Sequence, residues 1–216
     1  MTAGDPRTGA ATRRLDASAA AAFESCVAHG GVAVFPADTV YGLATDPESP
    51  EGFERLYALK RRRPDMPSAA MLFSLAAALD ALPELGPRTR AVFERLLPGP
   101  LTLVVPNPRR RFPLACGPTP ERLGVRVPAL DGPLKPLRAV ARPVVQSSAN
   151  HHGGPDPRRL GDVPEEIRAG ADLVLDGGEL PGTASTVVDL GGYEDDGRYE
   201  ILREGAMPAA ELARRL

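Results

Sequence analysis

The chain has 216 residues, of which 43% are apolar and 25% charged. That length suits one domain, or a domain and a half, and the composition excludes a disordered chain and a coiled coil. The net charge of −2 provides no global basic field for nucleic acid, so any basic site has to be local.

Residues 1–14 are small and polar and read as a flexible tail; no apolar stretch follows their basic residues, so they are not a signal peptide. Residues 15–216 read as a single domain. Ala19, Ala22, Phe23, Cys26 and Val27 fall at helical spacing, and Gly30 supplies the stop. GVAVFPADT (31–39) reads as a buried strand ending in a turn, with Asp38–Gly42 as the exit towards a helix. Ser49-Pro50-Glu51 gives an N-cap, an N1 proline and an early acid, and Phe53, Leu56, Tyr57 and Lys60 then share one stripe. A strand over 71–73, a helix over 74–82 and a helix over 87–97 follow. Strands are expected at 101–105, 123–127 and 143–148, with Pro106–Pro120 as an irregular loop. A short helix over 163–169, strands at 172–176, 185–190 and 199–204, and a helix from Pro208 close the chain. Helices interleaved with strands predict an α/β fold with a mixed open sheet.

Cys26 reads as a small core residue, and its pairing with Cys116 stays open, although nothing else points to secretion. No apolar run approaches the length of a membrane span. The expectation is a soluble, cytoplasmic protein with no membrane contact.

Polar residues cluster at strand ends, where open α/β sheets place ligands. Thr39 and Tyr41 could hold a small polar ligand, or Asp38–Gly42 could be an ordinary turn. Lys60-Arg61-Arg62-Arg63-Pro64 is a run of like charges that an anion or acids must screen. Lys60 and Lys135 are the only lysines among 26 basic residues, so Lys60 draws attention as a point charge beside the fork of Arg62. The run also fits a solvated helix end. Ser147-Ser148-Ala149-Asn150 runs into a glycine-rich turn whose N–H groups could form an anion nest. His151 and His152 lack a third ligand at metal spacing, so no metal site is expected. Thr102, Arg126, Ser185 and Arg203 add polar groups in or beside strands. No P-loop, dinucleotide fingerprint or nucleophile elbow is present.

Taken in order, these segments resemble the YrdC/Sua5/YciO family of threonylcarbamoyl-adenylate synthases. FPADTVYGLATD (35–46) is similar to the family opening P-T-D-T-V-Y-G-L, Lys60 and Arg62 to its K-x-R pair, and Ser148 and Asn150 to its S-x-N pair. LPGPLTLVVP, LGVRVP, STVVDL and LREGAM are similar to four further motifs. The resemblance covers about residues 16–207.

The resemblance implies a twisted open sheet with flanking helices, related to the DHBP-synthase-like α/β fold, around a positively lined cavity. It implies the making of threonylcarbamoyl-AMP from L-threonine, bicarbonate and ATP, with Mg²⁺ held through the ATP phosphates. Other proteins would then carry the group to adenosine 37 of tRNA. Lys60, Arg62, Ser148 and Asn150 would be catalytic. Those four with Arg126, Ser185 and Arg203 would bind ATP, and Thr39, Tyr41 and Thr102 would hold threonine.

Two departures stand out. Met66 falls where the family carries a second lysine, and His152 where it carries serine. They motivate one alternative, a paralogue that makes a different carbamoyl or acyl adenylate; the other, an RNA-binding protein that kept the fold, follows from the positive cavity, which attracts RNA as readily as ATP.

Overall fold

The computed structural model describes residues 11–216. Among them, ten strands form one twisted mixed sheet in the order β1-β8-β2-β3-β7-β4-β6-β5-β9-β10. The strands are β1 (Thr12–Arg14), β2 (Ala33–Pro36), β3 (Tyr41–Thr45), β4 (Ala69–Met71), β5 (Leu101–Pro106), β6 (Arg122–Arg126), β7 (Val144–Ser148), β8 (Leu173–Asp176), β9 (Thr186–Gly192) and β10 (Arg198–Arg203).

Helices α1 (Ala19–Ala28), α2 (Pro50–Leu59), α3 (Leu75–Ala81) and α4 (Pro87–Leu96) form where the apolar stripes predict them. Ser49 caps α2, its hydroxyl accepting from the Gly52 N–H at 3.1 Å. Phe53, Leu56 and Tyr57 are its buried face. Helix α4 has a cap from far away in sequence. Gly86 offers it no side chain; the Glu194 carboxylate, in α7 (Tyr193–Asp196), accepts from the Thr89 N–H at 2.9 Å and the Thr89 hydroxyl at 3.0 Å. Short helices α5 (Pro113–Cys116) and α6 (Glu165–Gly170) and the closing α8 (Ala209–Arg215) complete the set, with 3₁₀ turns at 132–139 and 160–162.

Strand alternation separates core from site. Leu103 and Val105, Val125 and Val127, and Val188 and Leu190 are fully or nearly fully buried. The residues between them, among them Thr102, Val104, Gly124, Arg126, Val187 and Asp189, face a cavity. Phe23 on α1, Phe35 on β2 and Phe73 anchor the core, with ring centroids 5.0 and 5.6 Å apart from Phe23 outward.

Several expectations are corrected. The tail does not extend to residue 14: residues 12–14 pair in parallel with β8. Residues 1–10 lie outside the described part. The Asp38–Gly42 segment does not lead to a helix; β3 starts at Tyr41 and folds back antiparallel on β2, with Pro36 opposite Tyr41. Every residue of both strands is buried, so period-two alternation carries no signal there. The strand expected at 71–73 lies at 69–71. The 106–120 loop contains α5 and is pinned by Asn107, whose amide donates to the Arg111 and Pro120 carbonyls. Cys26 is only half-buried, and both cysteines are free.

Candidate active site

A cavity of about 640 Å³ lies over the middle of the sheet, a volume suited to a nucleotide-sized ligand. Its floor is hollow because Ala69 on β4 and Gly124 on β6 present almost no side chain. A Cβ on Gly124 would meet the Ser68 carbonyl at 3.2 Å. Lys60 and Arg62 line the cavity beside β7, and Ser185 and Arg203 line it beside β9 and β10.

The four-cation run is divided by one backbone conformation. Lys60 caps α2 in the helical region, and Arg61 then takes a left-handed φ of 51°. Arg61 therefore faces outward to Glu166, 2.6 Å away, and Arg63 pairs with Asp65. Lys60 and Arg62 line the cavity, and among the described residues neither has a carboxylate within ion-pair distance. The expected extended chain is thus replaced by a single left-handed residue with the same result.

Lys60 is 2% exposed. Its ammonium donates to the Ser148 carbonyl, to the Asn150 carbonyl at 2.9 Å and to Asn150 Oδ1 at 3.2 Å. The Ser148 hydroxyl donates to Asn150 Oδ1 at 2.7 Å, and the Asn150 amide donates to the Gly154 carbonyl at 2.7 Å. Lys60 thus holds together the turn that carries Ser148 and Asn150. Burial, and then the charge of Arg62, push its pKa down to about 7, against a smaller upward pull from Asp156.

Arg62 stacks 5.4 Å from the Tyr57 ring centre and donates to the Ser147 hydroxyl at 3.0 Å and the Pro67 carbonyl at 2.6 Å. Arg126 is 4% exposed and ion-paired with Asp38 at 2.7 Å. It donates also to the Thr39 hydroxyl at 3.1 Å and to Gln146 Oε1 at 3.2 Å. Burial lowers the Arg126 pKa and Asp38 opposes this, while the nearby charge of Arg203 lowers it further. The Nε atoms of Arg62 and Arg126 are buried with no hydrogen-bond partner. They are donors that the protein does not satisfy, on two cations of one cavity. Arg203 donates to the Ser185 carbonyl at 2.6 Å, and the Ser185 and Thr102 hydroxyls lie 2.9 Å apart.

Lys60, Arg62, Thr102, Arg126, Ser148, Asn150, Ser185 and Arg203 all line the cavity. Thr39 and Tyr41 do not. The Thr39 hydroxyl accepts from Arg126. The Tyr41 hydroxyl shares its one proton between Asp176 and the Gly178 carbonyl and accepts from the Gly177 N–H, so it anchors the loop after β8. His151 and His152 diverge: His152 lines the cavity, whereas His151 lies 3.3 Å from Glu166. Met66 packs against the core, away from the cavity.

Sequence reasoning missed Gln146, Asp156 and the Arg122–Asp189 ion pair, all cavity-lining. A glutamine directly after Val144-Val145 in a buried strand was a usable signal. Arg122 and Asp189 are far apart in sequence and gave none. Among the described residues, no three His, Cys, Asp or Glu side chains converge on a metal position.

The geometry defines a protein class: an α/β sheet with a cation- and hydroxyl-lined cavity, a lining suited to an anionic ligand. The chain belongs to the Sua5/YciO/YrdC family, whose model, described as telomere recombination, matches residues 25–205. It is 30% identical over 187 residues to a threonylcarbamoyl-AMP synthase of Pyrococcus abyssi, covering 86% of this chain and 54% of that one. It is 34% identical over 169 residues to a synthase of the same description from Chromohalobacter salexigens, covering 74% of this chain and 86% of that protein. The crystal structure of P. abyssi Sua5 complexed with L-threonine superposes with a TM-score of 0.79 at 27% identity, covering 95% of this chain and 59% of that one. The chain thus spans little more than half the length of the P. abyssi relative.

Proposed function

We propose that this protein is a threonylcarbamoyl-AMP synthase. The threonine amine and bicarbonate condense to a carbamate with loss of water. A carbamate oxygen attacks the α-phosphorus of ATP, the bond to the β-phosphate bridging oxygen breaks, and pyrophosphate leaves. The product would serve the modification of adenosine 37 in tRNA through other proteins.

One observation carries this reading. Of four consecutive cations, only Lys60 and Arg62 are turned into the cavity without a carboxylate, and the same cavity is lined by Arg203 and by Arg126, the latter paired with Asp38. Such a charge distribution stabilises a phosphoryl group flanked by a nucleophile and a leaving group, and the reaction asks for positioning more than for covalent catalysis. In this reading Lys60 and Arg62 supply the positive charge that phosphate and carboxylate oxygens meet. Ser148, Asn150, Ser185, Arg203 and Arg126 place the nucleotide, and Thr102 meets threonine. Thr39 and Tyr41 act from behind the wall, through Arg126 and the loop after β8. Mg²⁺ enters as part of the ATP complex, bound through phosphates and water.

Pyrophosphate release from Mg-ATP, with and without L-threonine and bicarbonate, tests the proposal. Release that needs both supports it. Release indifferent to threonine overturns it in favour of another acceptor amine, and folded protein that releases none overturns it outright.

A further inference from the structure

Arg126 crosses a strand to reach its partners. It sits on β6 opposite Met71, whereas Gln146 sits on β7 opposite Ala69, with β4 between them. The two long side chains meet above β4, where Ala69 leaves room, and Arg126 Nη1 donates to Gln146 Oε1 at 3.2 Å. Gln146 is 3% exposed, so this contact is made out of water, where a hydrogen bond to a charged group counts most. Its other amide atom rests over Gly42 on β3: a Cβ there would lie 2.8 Å from Gln146 Nε2 and 3.1 Å from the Phe35 ring. Gly42 is thus the berth of the Gln146 side chain, and the absence of a side chain at that position serves the arginine beyond β7 and β4.

Asp38 and Thr39 hold one guanidinium nitrogen of Arg126 and Gln146 holds the other. Between them they fix the guanidinium plane, and with it the direction of the unpartnered Nε–H. We propose that Gln146 is a positioning residue that aims Arg126 at the nucleotide, with Gly42 as its seat. This rests on the synthase reading for the identity of the ligand, but the geometry concerns any anion bound at Arg126.

Gln146→Leu roughly keeps the volume and removes the acceptor. The expected result is a KM for ATP raised about tenfold, the scale of one lost hydrogen bond to a charged group, with kcat and the KM for L-threonine within about twofold. Gly42→Ala crowds the Gln146 amide at 2.8 Å and should raise the KM for ATP in the same direction. Should leucine unfold the protein, Gln146→Met reads the same loss. An unchanged KM for ATP in the apolar variant, or a parallel rise for both substrates, would overturn the proposal. Calorimetric titration with Mg-ATP separates the two readings. If wild type makes no adenylate, the synthase reading fails, and a lower ATP affinity in Gln146→Leu still supports the Gln146 role; an unchanged affinity sinks it.

Discussion

Lys60 combines a compact charge, near-complete burial and three oxygen acceptors, and its pKa of about 7 makes the site sensitive to pH. A bound polyphosphate raises the pKa of a cation beside it. Affinity carried by Lys60 is therefore full below about pH 7 and falls as pH rises through that value. Lys60→Arg stays charged and should lose this slope, which Mg-ATP titration between about pH 6 and about pH 9 would show against wild type. Lys60→Ala removes the charge and loosens the Ser148–Asn150 turn, so turnover should drop at least about tenfold, or about 1.4 kcal/mol of barrier. Near-normal turnover would place Lys60 outside the machinery. His152→Ser should keep activity, because the His152 contact that orders the turn is its backbone N–H to the Lys60 carbonyl at 2.8 Å. Most of these side chains were legible: a lysine kept in an arginine-rich chain, and hydroxyls at strand ends. That Thr39 and Tyr41 stand outside the cavity lining was not legible, because their segment reads as a turn. It is instead the bend of a hairpin whose two strands are buried throughout, and the two hydroxyls point to protein partners.

The elements depend on their ends. Ser49→Ala should cost about 1 kcal/mol through loss of the α2 cap, read as a lower thermal midpoint. Because α2 delivers Lys60, a weaker ATP affinity should accompany it. The α4 cap differs in kind, since its acceptor is a carboxylate. The Thr89 N–H, most of all, holds the Glu194 pKa below the usual range. Its contribution is present at neutral pH and is lost as pH falls through that lowered value. The midpoints of wild type and Glu194→Gln should therefore differ at neutrality and converge in acid. Helices α1, α2 and α4 were readable from periodicity and from Gly30, Ser49 and Pro87. Strand β1 was not, because its three residues are exposed and make sense only beside β8. Strand β3 was not, because Tyr41–Thr45 shows no alternation. The Glu194 cap is separated from its helix by about a hundred residues and leaves no local trace.

At the scale of the molecule, the Asp38–Arg126 pair joins the β2–β3 hairpin to β6 on the other side of β7 and β4. Asp38→Ala would leave a buried guanidinium uncompensated and should cost about 3 kcal/mol or more by denaturant titration. Among the described residues no helix is long and apolar enough to cross a membrane. The α/β class was legible from the interleaving of elements, whereas the sheet order was not: β8 pairs beside β2 and β9 beside β5, joining distant parts of the chain. That order has a kinetic consequence. Lys60 and Arg203 enter the same cavity only after strands from both halves of the chain have paired, and non-local pairing of this kind is slow. The full lining is therefore assembled only once that pairing is made. In refolding, recovery of nucleotide binding should trail the return of helical signal, and added Mg-ATP should slow unfolding without speeding folding.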